Sequence, residues 1–205
     1  MHKKDVGKVK KTDLIFSLRF GRAKVGIVGW QGDKEVITLK QVHSSRVVLL
    51  DMGLEEHEGD ALITQRKGIK IGVRTADCVP IVLVGNSTLG VVHAGWRGIR
   101  EGIVENTLGV LRELESLGGF LAFIGPSAKA CCYEVGEEFK EYPFVLHYRS
   151  GRHYMDTQEE VIRRLKKGGV RRLFLWKSCT VCNLRLPSYR REKTKDRLLT
   201  FGELL

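Results

Sequence analysis

Val79-Pro80-Ile81-Val82-Leu83-Val84-Gly85-Asn86-Ser87-Thr88-Leu89-Gly90-Val91-Val92-His93 places two almost continuously apolar runs on either side of a short polar break. Runs of this kind mark strands covered on both faces. Gly85-Asn86-Ser87 is turn material, so the two runs are expected to form a hairpin. A hairpin sets the residue before its first strand beside the residue that ends its second. Cys78 and His93 are therefore expected to be neighbours in space.

Residues 61–64 and 69–73 are also almost continuously apolar, which makes 61–93 the expected centre of the sheet. Before it, residues 14–19, 25–30, 35–39 and 46–50 are short β-leaning runs separated by Gly, Lys and Asp, an expected antiparallel start with His43 in a turn. After it, Ile99, Ile103, Leu108, Leu111 and Leu114 recur at helical spacing up to Gly118-Gly119. Residues 121–124 and 170–176 read as strands and 133–142 as a short helix. Asp156-Thr157-Gln158-Glu159, an Asp cap followed three places later by Glu, opens a further helix that runs to Gly168-Gly169. The expected class is α+β, with central mixed sheets flanked by helices. No repeat or linker divides the 205 residues, so 1–205 is expected to be a single catalytic domain.

The formal net charge of +11 favours anionic partners, yet the basic residues are scattered, and no basic stripe interleaved with aromatics marks a nucleic-acid surface. Five cysteines, an odd count with Cys131 and Cys132 adjacent, and an amino terminus without an apolar segment point to a reduced, cytoplasmic protein. No run approaches the ~20 apolar residues a membrane span needs. Net charge alone does not choose among phosphorylated metabolites, nucleic acids and counter-ions, but neither nucleic acid nor membrane is an expected partner; the oligomeric state is not readable.

His43, Cys78 and His93 each stand beside turn residues at the end of an apolar run. Two imidazoles and a thiolate supply three of the four ligands that Zn²⁺ takes, leaving a position for chemistry. Residue types alone leave open the plainer reading of three unrelated polar residues at strand ends. Asp77 is the nearest carboxylate for orienting a ligand or moving a proton, or else a turn acceptor. Gly95-Trp96-Arg97-Gly98 leads into a helix start that would suit an anion; alternatively its glycines only turn the backbone. Arg19, Arg190 and Arg191 offer planar forks to phosphate or carboxylate, and Tyr189 a stacking surface beside two of them. Cys179-Thr180-Val181-Cys182 has the spacing of a redox or zinc pair, but contiguous Cys131-Cys132 is a poor second pair for one tetrahedral ion. Packing or pocket lining is the expected role of Cys179 and Cys182.

Taken in order, Gln41-Val42-His43, Gly59-Asp60-Ala61, Thr75-Ala76-Asp77-Cys78-Val79-Pro80, His93 to Gly98, Ile124-Gly125-Pro126, Cys132-Tyr133-Glu134-Val135-Gly136 and Ser188-Tyr189-Arg190-Arg191 resemble the multicopper polyphenol oxidase (laccase-type) family, also known as the peptidoglycan editing factor family. Its members are mostly described as zinc-dependent purine nucleoside phosphorylases. The resemblance implies a mixed α/β fold and a catalytic zinc on His43, Cys78 and His93. It implies phosphorolysis of adenosine, inosine or guanosine by inorganic phosphate to free base and ribose 1-phosphate, with methylthioadenosine cleavage and adenosine deamination as further activities. Phosphate would lie among Arg19, Arg97, Arg190 and Arg191. Two departures stand out: Arg19 is followed by Phe20-Gly21-Arg22 where the family usually has Gly-Gly-Val-Ser, and Ser127 stands where many relatives have Cys.

Three competing readings remain. A copper phenol oxidase would need more His ligands than six histidines supply, since four of them (His2, His57, His147, His153) fall outside the motifs. A hydrolase of cell-wall peptides would use Cys78 as nucleophile with His93 or His43 as base. The net charge alone motivates a non-catalytic anion- or RNA-binding protein.

Overall fold

In the computed structural model, which describes residues 14–29, 34–50 and 58–205, the chain begins with β1 (Leu14–Phe20), β2 (Ala23–Val28), β3 (Val36–Thr38) and β4 (Val47–Leu49). It continues through β5 (Ala61–Thr64), β6 (Lys70–Thr75), β7 (Val79–Val84) and β8 (Leu89–Ala94) to α1 (Trp96–Arg100) and α2 (Ile103–Leu114). Then come β9 (Leu121–Ile124), β10 (Glu134–Val135), β11 (Leu146–Arg149), β12 (Arg152–Met155), α3 (Thr157–Lys167), β13 (Arg172–Leu175), α4 (Tyr189–Glu192) and β14 (Leu198–Leu204). The amino-terminal segment with His2, Trp30 at the end of the second expected strand, and His57 lie outside the described residues.

The expected hairpin is present. β7 and β8 pair antiparallel with Val82 opposite Val91 and Pro80 opposite His93. They sit inside a sheet of order β13-β9-β7-β8-β5-β4, and a second sheet of order β1-β2-β14-β6-β3 packs on it. Strand alternation explains the continuous apolar runs. Val82, Val84, Leu89 and Val91 face the other sheet and meet Val25, Ile27, Ile71, Val73 and Leu198. Ile81, Leu83 and Val92 face the helices and meet Ile99, Ile103, Leu108 and Leu111 of α1 and α2, with Val161, Ile162 and Leu165 of α3. The layers are thus sheet, sheet, helices, an α+β arrangement in one compact unit. No helix among the described residues is long and apolar enough to cross a membrane.

Several expectations are corrected. The centre of the sheet is two centres, because β6 belongs to the opposite sheet from β5, β7 and β8. The antiparallel start holds for β1 and β2 only; β3 pairs parallel with β6, and β4 parallel with β5. The long helix after Gly98 is broken into α1 and α2 at Gly102, whose φ of 91° no continuous helix accommodates. Residues 133–142 contain the short strand β10 and then a 3-10 helix at Glu137–Glu141, so only the second half of the expected helix is helical. The hairpin of β11 and β12 and the strand β14 had no counterpart among the expected elements.

Glu160 ties the helical layer together. Its buried carboxylate accepts hydrogen bonds from Arg163 Nε (2.9 Å), Arg163 Nη2 (2.7 Å) and Arg164 Nε (2.6 Å), while Arg164 Nη1 donates to the carbonyl of Ile99 at 2.7 Å. Burial alone would raise the Glu160 pKa, but the two guanidinium groups outweigh it and hold the group below its ordinary value. A depressed carboxylate stabilises the fold above its unfolded pKa and loses that contribution as pH falls through the folded one. Glu160→Gln is expected to cost about 2 kcal/mol at neutral pH. Urea unfolding at pH 7 and pH 4 checks this, with the gap from wild type narrowing at the lower pH.

Candidate active site

The candidate ligands lie where the chain passes between the two sheets. His43 is on the crossing from β3 to β4, Cys78 on the crossing from β6 to β7, and His93 is the penultimate residue of β8. Their donor atoms all lie within 4.8 Å of one another, with Cys78 Sγ 3.9 Å from His43 Nε2 and the two imidazole rings 4.8 Å apart. A tetrahedral zinc with ordinary Zn–N and Zn–S distances sets such an N···S edge at roughly 3.6 Å. The donor set fits zinc in chemistry and in spacing.

The residue that builds this cluster is Asp60, which stood in the Gly59-Asp60-Ala61 motif without an expected role. Its fully buried carboxylate accepts hydrogen bonds from the backbone N–H of His43 (3.1 Å) and Ser44 (2.6 Å) and from Ser44 Oγ (2.7 Å). It also lies 2.7 Å from His93 Nδ1. With the Nδ1 proton directed at Asp60, His93 turns Nε2 toward Cys78 and His43. One carboxylate therefore orients one ligand ring and holds the backbone that carries another. A carboxylate at the head of an apolar strand is a readable signal, since a buried charge must be partnered.

Burial opposes ionisation at all three of these groups, and the contacts overturn it. Hydrogen bonds from His93 and Ser44 hold Asp60 at about 2. His43 and His93 draw the Cys78 thiol down to about 6, so it is a thiolate at neutral pH. Asp60 and Cys78 push His93 up to about 9.

Gly95 guards the cluster. Its φ of −77° requires no glycine, so the backbone-turning role does not account for it. A Cβ at this position would stand 3.0 Å from His43 Cδ2 and 3.2 Å from Cys78 Sγ. Gly95→Ala is expected to leave the fold intact and weaken zinc binding about tenfold, read by competition with a chromophoric chelator. Zinc affinity equal to wild type would show that the cluster tolerates the displacement.

The cluster opens onto a cleft of about 810 Å³. Its walls carry Arg74, Arg97, Arg190, Lys193 and Arg197, and the aromatic rings of Trp96, Tyr133 and Tyr189. Arg97 lies over the Trp96 ring at 4.7 Å, Arg190 over Tyr133 at 4.3 Å and Lys193 over Tyr189 at 4.9 Å. Burial pushes the Tyr133 phenol up to about 12, so it remains a proton-bearing donor. Arg74, Lys193 and Arg197 are cleft residues that no local motif marked, and Tyr133, although it stood in the Cys132-Tyr133-Glu134-Val135-Gly136 motif, had no expected role.

The structure treats the other expected residues unequally. Arg97, Tyr189 and Arg190 line the cleft. Asp77 lines it too, but Thr180 Oγ1 donates to Oδ1 at 2.6 Å and the Arg190 backbone N–H to Oδ2 at 2.8 Å, which makes it a positioning residue for α4. Arg191 is spent elsewhere: Nη1 donates to the carbonyls of Thr180 (2.8 Å) and Val181 (3.0 Å), and Nη2 to that of Leu186 (2.7 Å). Arg19 is exposed on β1, opposite Lys24, and is not among the residues lining the cleft. Arg19 and Arg191 thus do not join Arg190 in an anion site. Cys179 and Cys182 do not line the cleft either; their sulfurs converge with those of Cys131 and Cys132.

A family model described as "Multi-copper polyphenol oxidoreductase laccase" matches residues 22–202. The chain is 44% identical over 202 residues to a purine nucleoside phosphorylase of Aquifex aeolicus (strain VF5), covering 98% of this chain and 97% of that one. It is 40% identical over 124 residues to an adenosine deaminase, RL5, of an unknown prokaryotic organism, covering 52% of this chain and 46% of that one. YlmD from Geobacillus stearothermophilus has the same fold, with a TM-score of 0.81 at 22% identity over 97% of this chain and 99% of the other.

Proposed function

Because this chain belongs to the family described as multi-copper polyphenol oxidoreductase laccase, we propose that it is a cytoplasmic, zinc-dependent purine nucleoside phosphorylase with 1–205 as one catalytic domain. The observation that carries the reading is the cluster of His43, Cys78 and His93 at the floor of a cleft whose walls combine cations with aromatic rings. A nucleoside and an inorganic phosphate need that combination: an apolar face for the base and positive charge for the anion. The name of the 44% identical relative supports the same substrates. All five cysteines are free, which suits a reducing compartment.

Zinc on His43, Cys78 and His93 would supply Lewis-acid polarisation and a fixed point for orienting a polar group of the substrate. The protein does the rest. Arg97, Arg190, Lys193 and Arg197 gather phosphate and hold it against ribose C1′, where a C–O bond forms as the C1′–N9 bond to the purine breaks. The base takes up a proton and leaves. Tyr133, protonated and beside Arg190, is a hydrogen-bond donor on the wall, and Trp96 and Tyr189 are stacking surfaces. Asp77 keeps Arg190 in place from behind.

Copper oxidase chemistry suits the site less well. The remaining described histidines, His147 and His153, belong to β11 and β12, which form a three-stranded sheet with β10, and do not line the cleft. A His/Cys/His set suits zinc at least as well as copper.

The test is to incubate zinc-loaded protein with adenosine and phosphate and to measure adenine and ribose 1-phosphate, with His43→Asn as control. No phosphate-dependent release of the free base from any purine nucleoside would reject the reading. A second reading, adenosine deamination, is supported by the relative named an adenosine deaminase. Inosine formed without phosphate, in the same assay, reports it.

A further inference from the structure

We propose that Cys131, Cys132, Cys179 and Cys182 form a second metal site, a closed tetrathiolate site for zinc that is structural rather than catalytic. The four sulfurs lie within 4.8 Å of one another, with Cys132 Sγ 3.0 Å and Cys131 Sγ 3.5 Å from Cys182 Sγ. Four sulfurs around one zinc at ordinary Zn–S distances are separated by roughly 3.8 Å, the middle of the observed range. A disulfide requires about 2.05 Å and joins only two of them. Four thiols meet here, and soft, tetrahedral coordination is what four thiols in this arrangement offer.

The backbone is built to present them. Lys129 accepts hydrogen bonds at its carbonyl from the N–H groups of both Cys132 and Tyr133 (2.9 Å each), a tight turn that brings adjacent cysteines to one side. This turn removes the objection to Cys131-Cys132 as a ligand pair. On the other side, the carbonyl of Cys179 accepts from the Asn183 N–H at 3.0 Å, and that of Ser127 from the Thr180 N–H at 3.1 Å, fixing the Cys-x-x-Cys turn against the first loop. Cys179 is buried while Cys131 and Cys182 are exposed, so metal can enter from solvent.

Such a site would fasten the cleft wall. It joins residues 50 and 51 positions apart in sequence. The first turn leads directly to Tyr133, on which the Arg190 guanidinium rests; the second carries Thr180, which donates to Asp77. With all four positions filled by protein, no coordination site is left for substrate.

The proposal is independent of the zinc reading for His43, Cys78 and His93, and the experiment separates them. A His43→Asn/Cys78→Ala protein, purified under reducing conditions, is expected to retain about one zinc per chain by elemental analysis. Replacing that zinc by Co²⁺ should give the thiolate-to-metal charge-transfer and d–d bands of a tetrahedral tetrathiolate. Adding Cys182→His should shift the d–d bands to shorter wavelength with the metal still bound, and chelation should lower the thermal midpoint by several degrees. Absence of metal from the double variant together with a featureless Co²⁺ spectrum would overturn the proposal. So would stoichiometric iron in place of zinc, or a thiol count showing Cys182 bridged to Cys131 or Cys132.

Discussion

His43→Asn is expected to lower kcat/KM for adenosine phosphorolysis by about 10³-fold or more, roughly 4 kcal/mol of transition-state stabilisation, while the protein stays folded. The substitution is chosen for the backbone. His43 sits at a φ of 61°, in the left-handed region that asparagine tolerates and alanine does not. Its side chain is exposed, and the contact that holds the loop is its backbone N–H on Asp60, which asparagine keeps. The loss therefore measures the imidazole as a ligand. Zinc content, circular dichroism and turnover should be measured together: wild-type turnover in a folded, zinc-depleted variant would separate the chemistry from the metal. Alkylation of the wild-type protein tests the Cys78 nucleophile alternative. If Cys78 acted as a free thiolate, its alkylation rate would not change on zinc loading of the wild type; as a ligand it is protected.

The hairpin and the approach of Cys78 to His93 were legible because both are local consequences of one apolar pattern broken by Gly85-Asn86-Ser87. Helix α3 was legible for a similar reason: the Asp156 side chain accepts from the Glu159 N–H at 2.8 Å, as the cap motif implies. What escaped depends on contacts distant in sequence. β14, with seven residues in the middle of a sheet, follows a charged run and contains Gly202. That glycine has a packing reason visible only in three dimensions, since a Cβ there would stand 2.8 Å from Leu89 Cδ1 and 3.0 Å from Val82 Cγ1 on the facing sheet. The cleft cations come from three separate stretches, Arg74, Arg97 and the basic run that holds Arg190, Lys193 and Arg197, so no single window of sequence contains the whole pattern. The sulfur cluster was misjudged by treating adjacent cysteines as pointing apart, an extended-chain assumption that the turn on Lys129 invalidates.

Asp60→Asn is expected to act on three measurable quantities, with signs set by the same hydrogen bonds. Asparagine replaces one acceptor oxygen by a donor, which opposes the N–H and O–H groups of His43, Ser44 and His93 now pointing at Asp60. Stability should fall by about 2–4 kcal/mol at neutral pH, from leaving buried donors unmatched. Zinc affinity should fall roughly 10–100-fold, because the ring of His93 is no longer held in its ligating tautomer. The pH dependence should change as well. In the wild type Cys78 is already a thiolate at pH 7, but His93, pushed up to about 9, still carries the proton that zinc must displace. Apparent affinity should therefore rise roughly tenfold per pH unit from about pH 7 and level off above about 9. Loss of the Asp60 charge removes the strongest influence raising His93, so in the variant the levelling moves to lower pH. The metal-free wild type obeys the complementary rule. The Asp60 contribution, from a depressed pKa, is present above about 3.8 and lost as pH falls through about 2; the His93 contribution, from a raised one, is present below about 6.5 and lost as pH rises through about 9. Zinc titrations of both proteins across pH 6–10 decide the matter: identical slopes would mean that Asp60 packs against His93 without governing its proton.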